Sequence, residues 1–145
     1  MTTTSWRNRK TLILSRTDMM GLLTPAEYVD CVEVAFRRHG EGRIHLEPKG
    51  HIVLDKYPGE WEVMPSYIEA PIKGVAEAAA CKWVSIRENN RAKFDLPTVF
   101  SILIYTEPET GFPLAIVDGS YHTMMRTGAS AAVSCLLYTS DAADE

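Results

Sequence analysis

Cysteine is scarce in this 145-residue chain. The three residues, Cys31, Cys81 and Cys135, form no CxxC pair. An odd count without close spacing excludes a disulfide framework and fits small buried residues in a reducing, cytoplasmic compartment. Long apolar runs are also absent, so no segment is read as crossing a membrane. The stretch from Met1 to Lys10 is polar, carries Arg7, Arg9 and Lys10, and leads into no apolar segment of the kind a secretory signal needs. Charge of one sign is concentrated nowhere. The 15 basic and 19 acidic residues are interspersed, with a formal net charge of −4. No basic stripe can neutralise a phosphate backbone, and no nucleic-acid partner is expected. His39, His45, His51 and His122 lack metal-ligand spacing, so no metal site is expected. There is no GxSxG and no Cys beside a His. Gly40-Glu41-Gly42 follows a helical pattern and lacks the third glycine of a dinucleotide fingerprint.

What is present is an ordinary globular composition, 46% hydrophobic and 23% charged. That excludes disorder and leaves room for one domain with a genuine core, or for a piece of something larger.

Residues 12–15 read as a short strand and 16–23 as a helical turn. Thr24-Pro25-Ala26-Glu27 is a helix start, with Thr24 as cap, Pro25 at the first helical position and Glu27 completing a capping box. Tyr28, Val29, Val32, Ala35 and Phe36 follow at helical spacing, basic residues fill the last turn and Gly40 ends it, which predicts a helix over 24–39. Strands are expected over 44–46, 51–54, 62–67 and 75–86, with Pro58-Gly59 and Pro71 as breaks. Residues 87–95 read as a polar loop. The near-continuous apolarity of TVFSILIY over 98–105 predicts a strand buried on both faces. A turn at 107–111 returns it to a strand over 112–117. A helix begins near 120–123 and continues over 124–134. The fold class read from this order is α+β: an N-terminal helix, a mostly antiparallel sheet and a C-terminal helix.

Two cations stand where charge is expensive. Lys82, in AAACKWVSI, is the sole charged residue between Glu77 and Arg87, and alternation places it on one face with Val84 and Ile86. A buried ammonium needs a carboxylate, a ligand or a route to water. It either snorkels at a strand edge or lines a site. Arg126 is the sole formally charged side chain between Gly119 and Ser140. Early in a helix, it either pairs with a structural acid or grips a carboxylate with its planar fork. Together they point to a site for a small anionic substrate. Lys49, after Pro48, is a third candidate, or an ordinary solvated lysine. The small-residue run 127–132 allows tight helix packing or the close approach of a cofactor.

Several segments together resemble the ornithine cyclodeaminase/mu-crystallin family. The carriers are LPTVFSILIYTEPETGFPLAIVDGSYHTMMRTGASAAVS over 96–134, with its LPTV, its PLA and DG around the second strand, and its RT-small-A helix. Upstream, LSRTDMMGLLT, EPKGHIVL, VMPSY and CKWVS followed by Asn90 match further blocks in order. The resemblance implies an enzyme using NAD or NADP on a small amino acid or cyclic imine, either a cyclodeaminase or dehydrogenase, or a ketimine reductase. It implies a homodimer. It places Lys82 as a catalytic and substrate-binding lysine and Arg126 as the carboxylate-binding arginine, also facing the cofactor. Lys49 falls where Arg is frequent, Met64 lines the pocket, and Thr98 and Thr127 contact the cofactor. The other reading is a non-catalytic ligand-binding or dimerisation module. Least favoured is an unrelated α+β domain in which Lys82 and Arg126 are structural.

Residues 135–145, CLLYTSDAADE, resemble the in-frame translation of a transposase-end sequencing adapter. The expectation is therefore an N-terminal fragment, inactive by itself. Residues 1–11 would be a polar extension and 12–122 a substrate-binding and dimerisation domain. Residues 123–134 would start a helix leading to a missing Rossmann domain, and 135–145 would be a non-native tail.

Overall fold

A computed structural model describes residues 8–69 and 77–141. Strand β1 (Leu12–Leu14) leads into the single-turn helix α1 (Arg16–Met19) and then helix α2 (Pro25–Gly40). Strands β2 (Ile44–Leu46), β3 (Gly50–Leu54), β4 (Tyr57–Ile68) and β5 (Ala78–Ile86) follow. Helix α3 (Asn90–Phe94), strands β6 (Val99–Thr106) and β7 (Pro113–Asp118) and helix α4 (Gly119–Asp141) complete the order. The fold is α+β.

The seven strands form one mixed sheet in the order β1-β7-β6-β5-β4-β2, with β3 also paired to β4. β2 pairs with the end of β4, from Ser66 to Ile68, and β3 with its first half, so the two short strands share one edge. Only β1 and β7 run parallel.

Both α1 and α2 start with capping boxes. Thr24 Oγ1 accepts from the Glu27 amide at 3.3 Å, and the Glu27 carboxylate accepts from the Thr24 amide at 2.7 Å. Asp18 and Ser15 do the same for α1.

Register sorts the sheet into two faces. Met64 lies opposite Lys82, and Lys82 opposite Leu103; Glu62 lies opposite Val84, and Val84 opposite Ser101. Cross-strand partners share a face, so these residues line one side. The same side continues through Leu103 to Val117 and Tyr105 to Ala115. There Met19, Ala115 and Val117 form the core, with Leu14, Leu103, Tyr105 and Tyr121 packed against them. Helices α1 and α4 cover this side, and α2 packs on α4 where Tyr28 meets His122. The other side carries Trp61, Val63, Trp83, Phe100, Ile102 and Ile104, and Trp83, Phe100 and Ile102 keep 38%, 41% and 44% of their surface exposed.

Three expectations are corrected by the structure. Pro58-Gly59 is an irregularity inside β4 rather than a break, because Gly59 adopts φ +112° and pairing with β3 continues across a register shift at Val53 and Leu54. Residues 87–95 hold helix α3, closed by Asp95 in the left-handed region and by an Arg91–Asp95 ion pair at 3.1 Å. Five residues carry too little periodicity to announce a helix. Helix α4 does not lose its pattern at Ser134 but runs to Asp141. The sheet also contains the parallel β1–β7 pair, which the strand pattern did not foretell. The expected break at Pro71, the start of a strand at Val75 and the first seven residues lie outside the described residues.

Candidate functional site

Hydrogen bonds among five residues fix α4 over the sheet. The Asp118 carboxylate accepts from the Tyr121 amide at 2.9 Å, capping the helix. Ser120 Oγ accepts from the Ser101 amide at 3.0 Å, and the Ser101 and Thr123 hydroxyls meet at 3.3 Å. Gly119 makes this approach possible, since a Cβ there would lie 2.7 Å from Ser101 Oγ and 3.0 Å from its carbonyl carbon. Arg126 follows about two turns into the helix and is half-buried.

Lys82 is buried, with 9% of its surface exposed, on the helix-covered side of β5. Burial pushes its ammonium below the ordinary lysine value. The positive charge of Arg126 adds to that push; Glu62 opposes it, and Lys49 adds a smaller push. Neither Lys82 nor Arg126 forms an ion pair among the described residues. Two neighbouring cations without a shared acid repel one another and favour an anion between them.

The carboxylate in the neighbourhood is Glu62, 7% exposed, and it is already engaged. Lys49 Nζ lies 3.4 Å from Glu62 Oε1, and His51 Nδ1 lies 3.9 Å from the same oxygen and 2.9 Å from Glu60. Lys49 thus sits at the rim, exposed and paired. His51, Glu60 and Glu62 bring potential metal-ligand atoms within 4.8 Å of one another, a grouping that linear spacing of the histidines hid. Its carboxylates are already engaged, Glu62 by Lys49 and Glu60 by the His51 hydrogen bond.

His122 lies one helical turn before Arg126 on α4, its ring tilted against Tyr28 with centroids 5.8 Å apart. Burial lowers its pKa, and the charges of Arg126 and Lys82 lower it further, so the imidazole is neutral at pH 7. Sequence spacing presents His122 only as a possible metal ligand and does not single out Glu62. The available signals were the i, i+4 spacing of His122 to Arg126 and the alternation that puts Glu62 on the side of Met64.

Met64, half-buried, faces Lys82 across the β4–β5 ladder. The structure therefore brings Lys82, Arg126 and Met64 to one region, with Lys49 linked to it through Glu62. Thr127 is exposed beside Arg126, and its hydroxyl donates to the Thr123 carbonyl at 2.7 Å. Gly128, next to it, faces open space. Thr98 is exposed just before β6, where its carbonyl accepts from the Arg87 amide at 2.8 Å; no described contact joins it to Lys82 or Arg126. An apolar hollow of about 530 Å³ between α2 and the β2–β4–β5 edge contains neither cation, and His39 is its sole ionisable lining group besides Tyr67. Among the described residues no helix is long and apolar enough to cross a membrane.

The sequence model of the ornithine cyclodeaminase/mu-crystallin family matches residues 9–143. An alanine dehydrogenase of Archaeoglobus fulgidus is 35% identical over 125 residues, covering 86% of this chain and 36% of that protein. Two solved structures share the fold. One is an archaeal alanine dehydrogenase dimer with bound NAD, at 37% identity and a TM-score of 0.73, covering 83% of this chain and 34% of that one. The other is the Thermococcus litoralis Delta(1)-pyrroline-2-carboxylate reductase in complex with NADH and L-proline, at 36% identity and a TM-score of 0.77, covering 83% and 36%. The chain thus spans about a third of the length of these relatives.

These matches correct the reading of an inactive N-terminal fragment. The family match takes in almost the whole chain and runs past Ser134 to residue 143, through most of the segment taken for a non-native tail. The reading of α4 as the start of a connector is corrected with it, because the helix runs on to Asp141 and packs on the sheet as part of the α+β fold itself. On the extent of that match, the chain belongs to the ornithine cyclodeaminase/mu-crystallin family.

Proposed function

We propose that the chain binds the carboxylate of a small amino acid or cyclic imine between Lys82 and Arg126, for oxidation or reduction at the adjacent carbon. The observation that carries this reading is the pair of neighbouring cations, one buried and one half-buried, with the neighbouring acid already matched by Lys49. The relatives support the substrate class: alanine and proline each present a carboxylate next to the carbon bonded to nitrogen.

In this reading Arg126 grips the carboxylate with its planar fork, and Lys82 supplies the second positive charge from the sheet. Binding the anion relieves the repulsion between them. The same positive field favours a neutral amine on the substrate, and a lysine whose pKa is lowered can take and return a proton at Nζ. Met64 forms a wall against the substrate body. Lys49 keeps Glu62 neutralised, so that carboxylate does not compete for Arg126.

The family implies a nicotinamide cofactor, NAD or NADP. The exposed Thr127 hydroxyl beside Arg126 and the open space at Gly128 leave an unobstructed strip on α4 that fits a flat ring. Thr127 and Thr98 are the proposed contacts. Such a cofactor, when bound, supplies or accepts the hydride.

The uncovered sheet side, with Trp83, Phe100 and Ile102 exposed, is proposed as the surface that pairs two copies. Calorimetric titration of the chain with L-proline and L-alanine tests the site. Heat of binding is expected for the wild type and is lost in Arg126→Ala. Binding of equal strength in that variant overturns the assignment.

A further inference from the structure

A second cationic hollow lies at the far end of the sheet, on the side opposite Lys82. It encloses about 420 Å³ between the β3–β4 turn and α3, and Lys56, Tyr57, Trp61, Arg87, Lys93 and Phe94 line it. No Asp or Glu is among its described lining residues.

Arg87 is built into this place. Its guanidinium stacks on Trp61 at 3.6 Å from the ring centroid, and Nη1 donates to the Tyr57 carbonyl at 3.1 Å. The strand passes so close at Gly59, φ +112°, that a Cβ there would fall 2.1 Å from the Ile86 carbonyl oxygen and 3.2 Å from the Arg87 side chain. Arg87 Nη2 is nonetheless buried with no hydrogen-bond partner. Arginine cannot shed its charge, and Arg87 has no ion pair among the described residues; nor do Lys56 and Lys93. A fixed, uncompensated guanidinium with an orphaned donor, flanked by two exposed lysines, calls for an anion.

The rings beside it narrow the class. Tyr57 and Phe94 leave 51% and 66% of their surface exposed. Phe94 sits on a helix of five residues that buries no side chain. Flat apolar surface next to clustered cations suits a ligand with a flat apolar body and one charged end.

We propose that this hollow binds a small flat ring carrying an anionic head, a carboxylate or a phosphate, with the head at Arg87, Lys56 and Lys93 and the ring against Tyr57 and Phe94. The test is titration of the full chain with benzoate and with phenyl phosphate, followed by calorimetry. Benzyl alcohol and inorganic phosphate serve as the ring and the head alone. At least one ring-bearing anion is expected to bind about tenfold tighter than either half. The preference between benzoate and phenyl phosphate identifies the head. The double variant Lys56→Ser/Lys93→Ser, at exposed positions, is expected to weaken binding about tenfold without moving Tm, and Phe94→Ala to weaken it as well. Arg126→Ala is expected to leave it unchanged. The proposal is overturned if neither ring-bearing anion outbinds inorganic phosphate. It is equally overturned if Arg126→Ala abolishes binding while the double lysine variant retains it.

Discussion

Lys49 lies 3.4 Å from the buried carboxylate of Glu62, and this pairing leaves Lys82 without an acid of its own. A buried lysine in that position lowers stability: its desolvation is offset only by a carboxylate already shared with Lys49, and the repulsion of a nearby arginine adds to the cost. Lys82→Met keeps the stem and removes the charge. It is expected to raise the stability of the chain by about 1–2 kcal/mol in a urea titration while abolishing carboxylate binding. A loss of stability instead would mean that the folded protein gives Lys82 a compensating partner.

His122 makes the fold sensitive to mild acid. The groups facing it are Arg126 on its own helix, Lys82 from β5 and the Tyr28 ring from α2. The folded pKa lies below the ordinary 6.5, so between the two values the unfolded chain binds the extra proton. Stability therefore rises with pH up to about that value and falls as the pH drops through the window. Tm measured from pH 7 to pH 5 is expected to fall more steeply in the wild type than in His122→Gln. Saturating L-proline is expected to flatten the wild-type curve in part, because burial of the imidazole persists while a bound carboxylate offsets the two cations that add to it. Parallel curves for wild type and variant would remove His122 as the cause.

How much of this was legible in the chain follows from the range of the interactions. The start of α2 was readable because Thr24, Pro25 and Glu27 signal a cap within four residues. Lys82 and Arg126 stood out because each is alone in a long uncharged stretch, a local contrast. Glu62 did not stand out among the acids of Glu60-Trp61-Glu62. Its burial follows from register, which sets Met64 against Lys82 and Glu62 against Val84 across the intervening residues. The parallel pairing of β1 with β7 joins residues about a hundred positions apart through three pairs, and no local pattern encodes that. The neutral state of His122 depends first on its burial and then on charges supplied by two elements. Thr98 was placed from resemblance alone, and in the fold its described hydrogen bond is to Arg87.

The open sheet side makes a separate prediction. Trp83 and Ile102 are cross-strand partners at its centre, and both remain more than a third exposed. Exposed aromatic and β-branched side chains on a flat sheet favour association. Light scattering after size-exclusion chromatography is expected to give the mass of two chains for the wild type and of one for Trp83→Glu/Ile102→Lys. A monomeric wild type, at concentrations up to about the micromolar range where interfaces of ordinary size persist, would show that another surface or another partner covers this side.

Gly119 offers the sharpest test of how the site is positioned. At a helix start an exposed glycine replaced by alanine normally gains up to about 1 kcal/mol, from lower backbone entropy in the unfolded chain. Here the added methyl would sit 2.7 Å from Ser101 Oγ and 3.0 Å from the Ser101 carbonyl carbon. Backbone cannot yield as a flexible side chain does, so α4 has to lift from β6. That movement strains the Ser120–Ser101 and Ser101–Thr123 hydrogen bonds, which set the height of the helix above the sheet. Gly119→Ala is therefore expected to reverse the usual sign and destabilise by about 1–3 kcal/mol. It is also expected to weaken L-proline binding although position 119 touches no part of the proposed site, because Arg126 moves with the helix while Lys82 stays with the strand. Gly128→Ala, with open space at the same methyl position, is the matched control and is expected to be neutral or stabilising. If the two substitutions behave alike, the close approach of α4 to β6 is not what holds the two cations together.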